Sequence, residues 1–308
     1  MILRKGSRGE HVKTLQRYLG LVDDGDFGPR TEAAVKAWQK NNGLAVDGIV
    51  GPKTWNAMCL ATTDITENIA SVNNGLSFKK EWLRKGEYFA GPVPKDWVFL
   101  HHTAGWNNPY KTIGNWERDS RGAIATEFVL GGQKITDGDS TWDGELVQAF
   151  PAGGYGWHLG IGNNTMHRNS VGIEVNNFGY VTKGGWKRGG VWTPGQTDKY
   201  YTYVGTVADA DQIVTLSKPF RGHKHWHRYS DTQISVLKDL ILFIAKRDSI
   251  DVRKGLPQLI RQRGVGAFDF FDVLHVTKNP GLWNHTNVRK DKLDMFPQQE
   301  LIDMLLSL

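Results

Sequence analysis

A single cysteine, Cys59, stands among the 308 residues. One thiol excludes an intramolecular disulfide, a paired-cysteine zinc knuckle and an iron–sulfur site. Long apolar runs are missing as well. The longest, Leu240 to Ala245, is far short of the roughly 20 residues that a membrane span needs, so no membrane insertion is expected. Met1-Ile-Leu-Arg-Lys-Gly6 lacks the apolar stretch of a secretory leader. Acidic groups are in slight deficit, 32 against 38 basic ones, for a formal charge of +6. That excess favours polyanions, either nucleic acid or an anionic cell envelope. The basic residues are dispersed rather than striped, however, so nucleic acid is not expected as a partner. Glycine and proline, 36 and 11, are too few for a low-complexity chain. What remains is a soluble globular chain rich in tryptophan, 12 in all, and of a length that suits one large domain or two unequal ones.

Residues 1–60 carry a repeat. Asp24-Gly-Asp-Phe-Gly-Pro-Arg-Thr31 recurs 23 residues later as Asp47-Gly-Ile-Val-Gly-Pro-Lys-Thr54. In each copy a glycine permits a tight turn, and the proline starts a helix without wasting an amide. Ser7-Arg-Gly-Glu10 fits a capping box ahead of Val12, Leu15 and Leu19 at helical spacing, with Gly20 placed to end that helix. Ala34, Val35 and Trp38 follow the first copy on one face, and Trp55 and Met58 follow the second. This segment resembles the peptidoglycan-binding type 1 domain, a small three-helix all-α module, over nearly all of residues 2–60. Residues 61–80 are polar, show little periodicity and read as a linker.

Residues 81–308 read as mixed α/β. Strands are expected at Trp97–His102, Thr126–Leu130, Leu146–Phe150 and Val171–Val175. Ser230-Asp-Thr-Gln233 is a second capping box, after which Ile234, Leu237, Ile241 and Ile244 run down one helical face. A last helix is expected over Gln298–Leu306. Residues 180–222, rich in Gly, Trp, Thr and Tyr, read as an irregular insertion or long loop.

Three segments hold groups suited to hydrolytic metal chemistry. His101 and His102 end the first strand on opposite faces, so only one of them can meet a common metal. Glu174 stands among apolar neighbours with its side chain on the face of Gly172 and Asn176. His285 to Pro297 supplies an imidazole, several cations, Asp291 and Asp294.

Together these segments resemble the type 2 N-acetylmuramoyl-L-alanine amidases, relatives of the peptidoglycan recognition proteins, over roughly residues 95–300. The resemblance implies an α/β catalytic domain with a central mixed sheet flanked by helices. It implies a zinc ion on His101, His285 and Asp294, a catalytic carboxylate at Glu174 and an oxyanion-stabilising cation at Lys292. Gly156-Trp-His-Leu-Gly160 is similar to a cleft segment of that family, so Trp157 and His158, with His102 and Thr103, are assigned to the substrate groove.

Two departures stand out. The family's proline after the last ligand is replaced by Met295, which leaves Asp291, preceded by Arg289, as a rival to Asp294. Thr126 falls where some relatives carry a catalytic tyrosine. A separate array, His223, His225 and His227, would share one face of a strand and could bind metal.

The implied activity is cleavage of the amide between N-acetylmuramic acid and L-alanine, by a monomer whose partner is bacterial peptidoglycan. With no leader in view, the resemblance further implies a phage endolysin that gathers in the host cytoplasm and reaches the wall once the membrane opens. The competing readings are a non-catalytic recognition protein and a zinc peptidase acting within the stem peptide.

Overall fold

Two buried glutamines account for the amino-terminal repeat. Gln16 Nε2 donates to Asp24 Oδ1 (2.7 Å), the Asp26 carbonyl (2.9 Å) and Thr31 Oγ1 (3.0 Å), while Gln16 Oε1 accepts the Gly25 N–H (2.9 Å). Gln39 repeats the arrangement with Asp47 Oδ1 (2.8 Å), the Ile49 carbonyl (3.0 Å), Thr54 Oγ1 (3.2 Å) and the Gly48 N–H (2.9 Å). Gly25 and Gly48 have φ of +76° and +72°, a left-handed backbone that favours glycine. The Asp and Thr that begin and end each copy of the repeat are thus partners of one buried amide.

A computed structural model of the chain describes residues 2–19, 21–51, 53–55, 58 and 76–308. They fall into two compact units, the smaller holding the described residues up to Met58 together with Pro92–Pro94, and the larger comprising Leu76–Gly91 and Lys95–Leu308. In the smaller unit α1 (Glu10–Tyr18) and α2 (Pro29–Asn41) enclose Leu3, Val12, Leu15, Phe27, Val35, Val50, Trp55 and Met58. The Glu10 side chain of the capping box expected at Ser7 lies outside the described residues. Ser7 Oγ accepts the Arg4 N–H (3.0 Å), and the Gly9 carbonyl starts the helix by accepting from Val12 and Lys13. The expected stop at Gly20 lies outside the described residues. Residues 53–55 and 58 are helical, and the rest of the expected third helix lies outside the described residues.

The linker expected over 61–80 falls, up to residue 75, outside the described residues. Its last part belongs to the larger unit. Strand β1 (Lys79–Lys80) pairs parallel with Val147 and Gln148, and Phe78 packs edge-on against Phe128 with ring centroids 5.5 Å apart. The central sheet adds β2 (Trp97–His102), β3 (Phe128–Leu130), β4 (Leu146–Gln148), β5 (Ser170–Val175) and, late in the chain, β13 (Gly281–Asn284), in the order β1-β4-β3-β5-β2-β13. Every neighbouring pair is parallel except β3 with β4, so the sheet is mixed. Buried runs such as Val98-Phe99-Leu100 suit a sheet covered on both faces. Helices α3 (Pro109–Trp116) and α4 (Asn164–Arg168) lie between these strands in the chain. Strands β3 and β4 are each two residues shorter than expected.

The segment 180–222 is not an irregular loop. With the residues that follow it builds a second, antiparallel sheet, in the order β10-β9-β6-β12-β11, from β6 (Tyr180–Lys183), β9 (Tyr200–Tyr201), β10 (Val207–Ala208), β11 (Ile213–Phe220) and β12 (His223–His227). A hairpin of β7 (Gly185–Arg188) and β8 (Val191–Pro194) stands beside it. Strands of two to eight residues, broken by glycines at positive φ, give too little alternation to be read from sequence.

Helix α5 (Asp231–Asp248) is capped by Ser230, whose Oγ accepts the Gln233 N–H (2.9 Å), and it buries Ile234, Leu237, Leu240, Ile241 and Ile244. Only this half of the expected box forms, because the Gln233 side chain donates instead to the Gly131 and Asn176 carbonyls. Helices α6 (Leu256–Arg263), α7 (Val273–Lys278) and α8 (Gln299–Leu306) complete the unit. Among the described residues no helix is long and apolar enough to cross a membrane.

Candidate metal centre

The site forms because β13 lies parallel to β2 with Asn284 opposite Leu100, so that the next residues, His285 and His101, come side by side. His101 Nδ1 and His285 Nδ1 are 2.9 Å apart. Asp294 Oδ2 is 3.0 Å from His285 Nδ1 and 3.6 Å from His101 Nδ1. All three side chains are buried, and they form the single group of three or more potential metal-binding residues among the described residues.

A chain of polar contacts backs the imidazoles. His158 Nε2 is 2.8 Å from Ser170 Oγ, which lies 3.3 Å from the His167 carbonyl, and His158 Nδ1 is 2.9 Å from His101 Nε2. His285 Nε2 donates to the Leu159 carbonyl (3.0 Å). Burial, and then the neighbouring His285, lower the His101 pKa to about 4. Asp294 is held well below the usual carboxylate range, its burial outweighed by His285 and His101. Two imidazoles and one carboxylate therefore converge within hydrogen-bonding distance of one another.

Two imidazole nitrogens and a carboxylate oxygen this close are held together by a shared proton or by a cation. A tetrahedral ion with bonds of about 2.0–2.2 Å separates its ligand atoms by about 3.3–3.6 Å. The His101–Asp294 separation of 3.6 Å falls in that range, and the other two, 2.9 and 3.0 Å, need to open by a few tenths of an ångström. The donor set, two nitrogens and one oxygen, is the kind that leaves a fourth position open in catalytic zinc sites. The residues fit a metal ion.

Glu174 sits directly across from His101 in the parallel pairing of β5 with β2. Its face of β5 is the one that meets His158: a Cβ at Gly172 would lie 3.0 Å from His158 Nδ1 and 2.7 Å from Thr126 Cγ2, so glycine makes room for the imidazole. Glu174 is partly exposed. Burial first, and Asp294 second, push its pKa up to about 8, while the Lys292 ammonium opposes them. Lys292 is itself partly exposed, and its carbonyl accepts from the partly exposed Arg221 guanidinium.

The other expected residues divide. Asp291 lies at the surface in a two-pronged pair with Arg289 (2.6 and 2.7 Å), away from the three converging groups. His102 is not free to line a groove. It is buried on the opposite face, where Nδ1 and the Tyr229 hydroxyl are 3.0 Å apart. Thr103 Oγ1 is taken up by the backbone of Asn177, accepting its N–H (3.2 Å) and donating to its carbonyl (3.3 Å). His158 is more than a groove residue, since it holds His101. Trp157 is partly exposed beside it, packed edge-on against His167 (5.0 Å) and Phe89 (5.3 Å). Thr126 Oγ1 donates to the Phe128 carbonyl (2.9 Å).

The His223, His225 and His227 array does form a strand, yet its imidazoles go three ways. His223 stacks on Tyr180 (3.7 Å), His225 Nδ1 is 2.9 Å from Thr215 Oγ1, and His227 Nδ1 accepts the Phe178 N–H (3.2 Å). Ser170, Asn284 and Tyr229 were not foreseen, and no spacing in the sequence marks them.

None of the curated proteins matches this chain. Solved structures similar to it include a peptidoglycan-binding protein from Clostridioides difficile in complex with glutamine hydroxamate (40% identity, 19% of this chain and 40% of that one, TM-score 0.19). Others are PlyL (9% identity, 68% and 81%, TM-score 0.36) and a selenomethionine derivative of AmpD (12% identity, 74% and 93%, TM-score 0.37). The chain spans less than half the length of the Clostridioides protein. Residues 8–58, which hold the repeat, match the family model described as "Putative peptidoglycan binding domain".

Proposed function

We propose that the larger unit is a zinc-dependent N-acetylmuramoyl-L-alanine amidase that the repeat unit carries to peptidoglycan. The observation that carries this reading is the convergence of two buried imidazole Nδ1 atoms and a buried carboxylate beside a partly exposed glutamate. His101, His285 and Asp294 would hold the ion. Bound there, zinc supplies Lewis-acid polarisation and acidifies water. Glu174 takes the proton of the attacking water and returns it to the leaving amine of L-alanine. A carboxylate with a raised pKa suits both halves of that exchange near neutral pH. The Lys292 ammonium faces the charge that develops on the carbonyl oxygen. All these groups come from one chain, so a monomer suffices. Within the same proposal the protein serves as a phage endolysin, made in the host cytoplasm and acting on the wall after the membrane opens.

Chelation should abolish cleavage of muropeptides, and stoichiometric zinc should restore it. Glu174→Gln should keep the zinc and lose turnover by about 10²–10⁴-fold. Full activity in exhaustively demetallated protein, or a wild-type rate in Glu174→Gln, would remove the reading.

A further inference from the structure

Asn284 is fully buried, one residue before His285, and its side chain serves two stretches of backbone at once. Toward its own turn, it accepts the Asn287 N–H, while the Asn284 N–H donates to Asn287 Oδ1 (3.0 Å). This reciprocal pair closes the short 3₁₀ turn His285–Asn287 that presents the imidazole. Toward the second stretch, Asn284 Oδ1 accepts the Met295 N–H (2.6 Å) and Asn284 Nδ2 donates to the Met295 carbonyl (2.9 Å). Met295 is the residue after Asp294. One amide therefore grips the backbone next to each of two converging side chains that are nine positions apart in the chain.

The second grip depends on a feature peculiar to this sequence. A proline after Asp294 has no N–H to give, whereas Met295 donates one to Asn284. Other partners confine the same loop from its far side: Phe296 stacks between Trp226 and Tyr229 (4.6 Å to each), and Gln298 bonds both the N–H and the carbonyl of Tyr229 (2.8 and 2.9 Å). Those contacts anchor the loop to the exit of the second sheet. Only Asn284 ties it to the backbone beside His285.

We propose that Asn284 is a positioning residue for the metal centre, setting the distance between His285 and Asp294 through the backbone on either side of them. The proposal rests on the metal reading above. Groups that orient metal ligands from behind typically change affinity 10–100-fold when removed, and a buried amide bonded to the backbone of two segments belongs in that range.

The test is zinc affinity of the full chain, by calorimetry of the apo protein with a competing chelator, alongside thermal melts without metal. Asn284→Ala removes the grip, and Asn284→Leu removes it while keeping the volume, so that the fold survives. The control is Gln233→Ala. Gln233 is equally buried and bonds two backbone carbonyls, those of Gly131 and Asn176 (both 3.0 Å), away from the ligand loop. Both Asn284 variants should lose zinc affinity by about 10–100-fold, with Gln233→Ala within about twofold of wild type despite a comparable loss in melting temperature. Wild-type affinity in the Asn284 variants, or an equal loss in Gln233→Ala, would overturn the positioning role. A wild-type chain that binds no zinc would overturn the metal reading itself, and the role of Asn284 with it.

Discussion

The repeat unit and the metal centre are both organised by buried hydrogen bonds, yet they differ in how far apart the partners lie in the chain. Gln16 reaches Asp24 and Thr31, and Gln39 reaches Asp47 and Thr54, all within 15 residues. His101 and His285 are 184 residues apart. A device closed over one loop leaves a written pattern, which is why the Asp, Gly and Thr of the two copies coincide. A device assembled by sheet topology leaves none, since the spacing of its ligands is whatever the intervening elements happen to require.

The largest effect expected lies in the distributed site. Asp294→Ala should abolish zinc retention in equilibrium dialysis and activity with it, while Asp291→Ala should leave both nearly unchanged, because Asp291 is spent on Arg289 at the surface. The opposite ranking would move the ligand to Asp291.

Next comes the local device. Gln39→Ala leaves the buried Gly48 N–H without its acceptor and removes one partner each from Asp47 and Thr54. It should destabilise the repeat unit by about 1–3 kcal/mol, read from its own calorimetric transition. Cleavage of soluble muropeptides should not change, since no proposed catalytic group lies in the repeat, whereas retention on intact sacculi should fall. A drop in soluble activity would mean that the units are not separable.

Acid should distinguish the two more gently. In the metal-free protein, burial lowers the pKa of His101 and His102 to about 4 and of His227 to about 3. The unfolded chain takes up protons near pH 6.5 that these imidazoles refuse in the fold, so the stability they contribute is present above that pH and is lost as pH falls toward 4. Each would add up to about 1.4 kcal/mol per pH unit to the slope. In the repeat, Asp24 and Asp47 are instead held low, first by the backbone N–H groups of Asp26 and Ile49 and then by Gln16 and Gln39. Their contribution is lost only as pH falls below the ordinary carboxylate range. Differential scanning calorimetry from pH 7 to 4 should therefore show the larger unit's transition dropping first; a repeat transition that falls earlier would contradict this ordering.

The same contrast explains what could be read from the sequence. The repeat, the strands around Val98 and Val171 and the helix behind Ser230 follow from turn residues, alternation and a cap. The second sheet was lost because its strands are short and glycine-broken. The resemblance assigns His102 and Thr103 to the groove, but His102 turns to the face opposite His101, and the partners that claim the two side chains, Tyr229 and Asn177, lie far along the chain. The grouping of His101, His285 and Asp294 came from family resemblance. No arithmetic on their positions gives it, and nothing in the sequence announces Ser170 or Asn284 behind them.

The central claim, amide hydrolysis between glycan and stem peptide at the His101, His285 and Asp294 centre, is tested most directly by mass spectrometry of purified peptidoglycan digested with the zinc-loaded chain. The account predicts intact glycan strands free of peptide, and released stem peptides with L-alanine at their amino termini. Cleavage within the stem peptide or within the glycan would contradict it.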